Sequence, residues 1–194
     1  MNERRFSASQ AHRLDDPARR AWFPPSEVLN AMGLHSGLTI ADVGAGTGYF
    51  SLPLAQAVGQ QGTIYAVDAQ EEMLSLLRQK LNEASLSNLE PIRAEADNTG
   101  LAAGSCDLFF AANVWHEFDD RNAVLRESAR VLKPGGRIAI LDWRTDAPPE
   151  PGPPLTHRLP SSTAVDALRS AGFQKIEVAN VGLHSWLVQG EIKL

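Results

Sequence analysis

The chain of 194 residues contains a single cysteine, Cys106. One cysteine excludes an internal disulfide and any metal site built from a cluster of cysteines. Because Cys106 precedes an apolar run that is typical of a strand, we expect its side chain to be buried as a small hydrophobic group.

An excess of positive charge and a long apolar run are also missing. Lys and Arg number 18 against 23 Asp and Glu, a formal net charge of −5. This balance argues against general affinity for nucleic-acid phosphates, so we expect no nucleic-acid partner. No stretch reaches the roughly 20 apolar residues that a membrane span needs, and the first residues are polar rather than signal-like. Together these absences predict a soluble, cytoplasmic protein without a membrane span.

The most informative stretch that is present is a glycine-rich run. Gly44, Gly46 and Gly48 follow a short apolar segment (40–43) and precede a segment predicted to be helical (49–58). A strand that turns through glycines into a helix presents backbone N–H groups and the positive end of a helix dipole. The missing Cβ atoms let a ligand approach the backbone. The run therefore predicts a site for a nucleotide-like ligand with an anionic end, with a purely connecting turn as the alternative.

The spacing of the glycines narrows the ligand class. A dinucleotide-binding fingerprint has its third glycine three residues after the second, a position that Tyr49 occupies here. The next β-rich run (62–68) ends in a carboxylate, Asp68, which a βαβ unit would place beside the glycines. A carboxylate there can accept both hydroxyls of a ribose. Capping of the helix that begins near Glu71 is the alternative role.

The sequence Asp-Val-Gly-Ala-Gly-Thr-Gly (42–48) resembles motif I of the class I S-adenosylmethionine-dependent methyltransferases and does not resemble a nicotinamide site. The resemblance extends over about residues 26–190. It implies S-adenosylmethionine as cofactor and S-adenosylhomocysteine as product. After the third strand it implies an acidic contact to adenine, at Glu95 or alternatively at Asp97. The implied cofactor-binding residues are Asp42, Gly44, Ala45, Gly46, Gly48, Asp68, Ala69, Met73, Glu95, Ala96 and Asn113.

Helix-like and strand-like segments alternate along the chain, which indicates an α/β fold. We expect a doubly wound, mostly parallel seven-stranded sheet with helices on both faces and a C-terminal antiparallel hairpin. Ser26 is the expected cap of a first helix, and Pro134-Gly135-Gly136 is expected to form a loop before a strand at 138–142. Residues 26–194 are predicted to form one domain. The preceding segment, 1–25, is a candidate lid.

The resemblance also suggests the chemistry of the acceptor side. His116 matches a histidine that small-molecule methyltransferases often carry near the acceptor, where an imidazole can take a proton. Packing or capping is an equally good reading of His116. Trp143 either walls the acceptor pocket or packs at the sheet edge. Asp142 lacks the acidic partners of a metal site, so no metal is predicted.

The resemblance, at a general level, is to quinone-type and other small-molecule methyltransferases, and it therefore implies a small-molecule acceptor. The family's motif used on nucleobase amines is absent after the fourth strand, which disfavours that class. With no long insertion to cover the site, closure falls to residues 1–25 or to a second subunit in a homodimer. A large, partly exposed acceptor is the remaining option. A non-catalytic chain that only binds S-adenosylmethionine, as a sensor or partner subunit, is the alternative function.

Overall fold

The computed structural model describes residues 6–150 and 152–193, and the strands found there form a single seven-stranded sheet. They are β1 (Thr39–Val43), β2 (Thr63–Asp68), β3 (Leu89–Arg93), β4 (Cys106–Ala112), β5 (Leu132–Trp143), β6 (Phe173–Val181) and β7 (Ser185–Ile192). Their order is β3-β2-β1-β4-β5-β7-β6. The first five run parallel, whereas β7 is antiparallel to both of its neighbours. The predicted fold class is confirmed.

Helices cover both faces of this sheet. They are α1 (Arg19–Trp22), α2 (Pro25–Ala31), α3 (Ser51–Val58), α4 (Glu71–Ala84), α5 (Arg121–Val131) and α6 (Ser161–Ser170). The apolar side chains of α2, α3 and α4 join one buried cluster, and those of α5 and α6 join a second. Alternate side chains along β1 enter the two clusters, Ile40 on the first face and Ala41 on the second. This alternation is the period of two that a strand buried on both faces requires.

The topology fixes where a ligand can bind. From β1 the chain proceeds to β2 on one side, while β4 pairs with the other side of β1. A crevice forms outside the carboxyl ends of the strands at such a reversal of strand order, and ligands of open α/β sheets bind in it. The glycine run after β1 and the segment after β4 therefore lie at the same edge.

Three predicted boundaries are wrong. The helix expected after a Ser26 cap is α2, and it begins at Pro25 because a proline is favourable in the first helical turn. The helix expected from Tyr49 begins at Ser51, after the glycine turn. Strand β5 already starts at Leu132 and includes Pro134-Gly135-Gly136, since Leu132 pairs with Cys106 before the register shifts.

The segment before α1 lies on the domain. Of the predicted N-terminal unit 1–25, residues 1–5 fall outside the described residues, and Ala8–Asp15 forms a 3-10 helix. Leu14 of this helix covers the glycine turn, because a Cβ built on Gly46 would be 3.2 Å from its Cδ1 atom. Asp15 accepts a hydrogen bond from the Thr47 hydroxyl at 2.8 Å and pairs with Lys80.

Candidate functional site

The turn after β1 needs glycines for two different reasons. Gly44, Gly46 and Gly48 have φ values of 75°, 55° and 86°, a region that other L-residues rarely adopt. A Cβ on Gly44 would be 2.6 Å from Cγ1 of Val114, which follows β4. A Cβ on Gly48 would overlap Cδ1 of Leu77 on α4. The missing Cβ of Gly44 thus leaves room for the loop that follows β4, and that of Gly48 leaves room for α4.

Asp68 at the end of β2 is fixed beside this turn. Its Oδ2 atom accepts from the backbone N–H of Gly46 at 2.8 Å, and Oδ1 accepts from that of Gln70 at 2.9 Å. The side chain is 9% exposed and lines the cleft between the strand ends. The carboxylate is therefore held rigidly in position, as a ligand-orienting group should be.

The cleft encloses about 780 Å³ of empty space, its open mouth included. The cleft is lined by the ends of β1 and β2, the loop after β3 and the loop after β4. Of the predicted cofactor residues, the lining contains Gly44, Asp68, Ala69, Glu95 and Ala96.

The remaining predicted residues lie beneath or beside the cleft. Ala45, Gly46 and Gly48 belong to the turn and are buried, and Met73 is buried on α4. None of the four is part of the lining. Their contribution to the site is to shape the turn and the helix behind it.

Asp42 lies below the turn at 2% exposure and accepts a short hydrogen bond from the Ser51 hydroxyl at the start of α3. Burial, opposed by the Ser51 hydrogen bond and reinforced by the charge of Asp68, raises the pKa of Asp42 to about 7. The group is thus close to half-protonated near neutral pH. A cation that approaches it would favour its ionised form.

The loop after β3 presents two acidic residues to the cleft. Glu95 and Asp97 are both exposed and both line it, with Ala96 between them. The backbone N–H of Asn98 donates to the carbonyl of Glu95 at 3.1 Å, which closes the loop. Either carboxylate can therefore play the predicted role, which is to accept a hydrogen bond from the adenine amino group.

His116 forms a buried pair with Asp142 at the same edge of the sheet. Its Nδ1 atom lies 2.8 Å and 3.0 Å from the two carboxylate oxygens of Asp142, and its backbone N–H donates to Oδ2 at 2.9 Å. The backbone N–H of Trp143 also donates to Asp142, at 2.7 Å. Because a carboxylate only accepts, Nδ1 carries the proton in the neutral form of the imidazole, and Nε2 then has a lone pair.

The neighbouring charges tune this pair. Burial acts to lower the pKa of His116, but the hydrogen bond and charge of Asp142, together with the charge of Glu117, outweigh it and raise that pKa above its ordinary value. Glu117 lines the cleft, and its Oε1 atom lies 3.8 Å from Nε2 of His116. Burial raises the pKa of Glu117 to about 7. Glu117 thus places a carboxyl group with a raised pKa at the cleft, next to the imidazole of His116.

Asn113, the last predicted cofactor residue, shows two signs of a ligand-facing group. Its φ of 59° is unusual for a residue with a side chain. Its Oδ1 and Nδ2 atoms are buried and have no hydrogen-bond partner. A buried, unsatisfied amide costs about 1–3 kcal/mol, which a bound polar ligand would recover.

Sequence reasoning missed Asp142 and Glu117 as partners of His116. The sequence places Asp142 at the end of a strand, at the edge of the sheet where ligands bind. Its pairing with His116, however, depends on the alignment of β4 and β5. Trp143 packs its ring edge-on against Phe23, with centroids 4.5 Å apart, in agreement with the edge-packing interpretation. No group of three metal-ligating side chains occurs in residues 6–150 and 152–193.

Comparison with known proteins decides the family. A family model described as a methyltransferase domain matches residues 41–140, which include the glycine turn, Asp68, Asn113 and His116. The chain belongs to the class I S-adenosylmethionine-dependent methyltransferases. The resemblance deduced from motif I is thereby confirmed, and with it the cofactor class.

Individual methyltransferases show how far the similarity extends. A SAM-dependent methyltransferase from Aquifex aeolicus is 34% identical, with a TM-score of 0.92 over 97% of this chain and 100% of that chain. Demethylmenaquinone methyltransferase from Listeria welshimeri is 35% identical over 126 residues, 65% of this chain and 52% of that protein. The chain thus spans about half the length of the curated relatives it matches. Phosphoethanolamine N-methyltransferase 2 of Haemonchus contortus, solved with S-adenosyl-L-methionine, shares the fold at 14% identity, with a TM-score of 0.72 over 88% of this chain and 52% of that chain.

In the part of the chain that the structure describes, no helix is both long and apolar enough to cross a bilayer.

Proposed function

We propose that this methyltransferase transfers a methyl group from S-adenosylmethionine to a nucleophilic O, N or C atom of a small molecule, with His116 accepting the proton of that nucleophile. The observation that carries the proposal is the His116–Asp142 pair. It is buried at the sheet edge beside a cleft whose lining includes Gly44 and Asp68.

The groups around the cleft fit the cofactor. Asp68 offers a fixed carboxylate for the ribose hydroxyls, and Glu95 or Asp97 offers one for the adenine amino group. The unsatisfied amide of Asn113 matches a polar group of the methionine portion or of the acceptor. Asp42 beneath the turn provides negative charge on the side where the cofactor's ammonium group is expected.

When bound, S-adenosylmethionine supplies an electrophilic methyl group on a sulfonium. The protein must then align the acceptor with it and exclude water. An electron pair on the acceptor's O, N or C atom would form the new bond to the methyl carbon as the carbon–sulfur bond breaks, and the electron pair of the broken bond would remain on the sulfur of S-adenosylhomocysteine. The acceptor's proton goes to Nε2 of His116, and Asp142 stabilises the resulting imidazolium.

The acceptor class is inferred from relatives and from charge. Demethylmenaquinone methyltransferase, of which the chain spans about half the length, points to quinone-type and similar small molecules. The negative net charge supports the exclusion of nucleic acid. A homodimer and a cytoplasmic location remain predictions from the sequence alone.

We further propose that the N-terminal segment acts as a lid. Its contacts support this role, since Leu14 covers Gly46 and Asp15 binds Thr47 and Lys80. A covered cleft is what a reaction that must exclude water requires.

The test of the proposed function is transfer of a labelled methyl group to a pool of small metabolites. We expect the wild-type protein to label at least one compound, and His116→Asn to reduce its rate by ~10²–10⁴-fold, the usual contribution of a positioned acid or base. His35→Asn, a change at an exposed histidine, is the matched control and should retain the rate.

Cofactor affinity is measured in parallel and should be unchanged by His116→Asn. Full turnover by that variant would remove His116 from the mechanism. Binding of S-adenosylmethionine without transfer to any compound would instead support the non-catalytic alternative.

A further inference from the structure

The carboxylate of Glu117 connects two parts of the molecule that are far apart in sequence. Its Oε2 atom accepts the backbone N–H of Phe6 at 3.1 Å, while Oε1 lies 3.8 Å from Nε2 of His116. The same side chain lines the cleft. The N-terminal segment and the proposed proton acceptor thus meet at one ionisable group.

A second side chain holds the same segment without touching His116. Gln70, at the start of α4, accepts the N–H of Ala8 at 3.1 Å and donates to the carbonyl of Phe6 at 2.8 Å. These two hydrogen bonds and that of Glu117 fix the backbone of residues 6–8 at the margin of the cleft. Because Gln70 carries no charge, it provides a means to loosen the segment without altering the electrostatics of His116 directly.

The groups that face Glu117 come from several elements. Burial raises its pKa to about 7, whereas the Phe6 hydrogen bond and His116 lower it, and Asp142 and Asp68 raise it further. Arg121, at the start of α5, acts on His116 in the opposite sense to Glu117. Phe6 lies directly on the carboxylate, so opening of the segment would admit water to it.

We propose that Glu117 is a positioning residue that links closure of the N-terminal segment over the cleft to the protonation of His116. The inference rests on the proposed role of His116 as proton acceptor. Closure buries the carboxylate and brings it under the influence of the segment's backbone. The carboxylate in turn faces the imidazole nitrogen that receives the acceptor's proton.

The direction of the coupling follows from the largest effect on Glu117, which is burial. In the closed form the group binds a proton up to a pH of about 7, whereas hydration in the open form returns its pKa toward the ordinary 4.5. Closed protein therefore binds more protons between these values, and a rise in pH across that window favours opening.

The experiment measures opening and protonation separately. Amide hydrogen exchange of residues 7–15, corrected for intrinsic rates, reports the segment, and imidazole NMR titration reports His116. In the wild type we expect opening to increase between pH 5 and pH 8. In Glu117→Gln, which retains an oxygen acceptor for Phe6, opening should not vary with pH, and the pKa of His116 should fall by ~0.5–1 unit.

Two further variants calibrate these readouts. Gln70→Ala should raise exchange of residues 7–15 by roughly 30-fold, as expected for the loss of two hydrogen bonds of about 1 kcal/mol each. Glu83→Gln, an exposed change on α4, should leave both readouts at wild-type values.

The proposal is overturned if Glu117→Gln retains either the pH dependence of opening or the wild-type pKa of His116. Thermal unfolding confirms that each variant is folded. Neither readout uses an acceptor or turnover, so a failure to detect methyl transfer would not affect the result.

Discussion

Single residues at this site have environments that their sequence positions do not reveal. Asp42 precedes the glycine turn by two positions, as in motif I, yet its carboxyl group is buried and bonded to Ser51. Its raised pKa means that the folded protein retains a proton there which the unfolded chain would release. Asp42 therefore destabilises the fold when it is ionised.

This environment predicts a pH effect on stability. The pKa of Asp42 is raised from 3.8 to about 7, so the free energy of unfolding should fall as pH rises across that interval. Asp42→Asn keeps an oxygen acceptor for Ser51. In this variant the decrease in the free energy of unfolding should be smaller than in the wild type by on the order of 2–4 kcal/mol. Urea unfolding at pH 5 and pH 8 measures it.

The comparison is made against the wild type, because Glu117 contributes a similar dependence of its own. Asp166→Asn, at an exposed position on α6, is the control and should change nothing. An Asp42→Asn variant with the wild-type difference between the two pH values would show that Asp42 is not buried in its neutral form.

At the scale of elements, the glycine turn determines how closely α4 approaches the start of α3. Gly48 combines a φ of 86° with a Cβ position that overlaps the fully buried Leu77. Gly48, the third glycine, comes one residue earlier than in a dinucleotide-binding fingerprint. It thus has a packing role. The missing Cβ of Gly48 permits α4, the helix that follows β2, to pack against the turn.

We expect Gly48→Ala to lower the free energy of unfolding by about 2–4 kcal/mol, through backbone strain and overpacking. Gly172→Ala is the matched control, since Gly172 has a φ of 88° but nothing within 4 Å of its Cβ position. It should cost only the strain, ~1–2 kcal/mol. Chemical denaturation provides the measurement.

A double variant, Gly48→Ala with Leu77→Ala, removes the overlapping methyl groups. The two substitutions should then cost less together than the sum of their separate effects. Equal losses for Gly48→Ala and Gly172→Ala would contradict the packing role.

At the scale of the whole molecule, the sequence predicted what depends on local pattern. The alternation of helix and strand, the glycine turn and the placement of Asp68 beside it follow from periodicity and from the resemblance to motif I. The pairing of His116 with Asp142 and the contact of Glu117 with Phe6 join residues that only the folded chain brings together. The early start of β5 escaped prediction because proline and glycine usually end a strand rather than lie within one.

The position of the N-terminal segment also depends on contacts that only the folded chain makes. Its sequence has no clear periodicity, so nothing local indicates that Ala8–Asp15 would lie over the glycine turn. The contacts that hold it come from Gln70, Thr47, Lys80 and Glu117, which all lie outside the segment. A cofactor bound in the adjoining cleft would therefore lie next to this segment.

The central claim is that the cofactor lies in the cleft beside the glycine turn, oriented by Asp68. Calorimetric titration with S-adenosylhomocysteine tests it most directly, using the wild type, Asp68→Ala and the surface control Asp166→Asn, each checked for folding by thermal denaturation. We predict one site in the wild type and in the control, and an affinity weaker by ~10–100-fold in Asp68→Ala, as expected for lost hydrogen bonds to a charged group. No heat of binding in the wild type, or equal affinity in Asp68→Ala, would contradict the account.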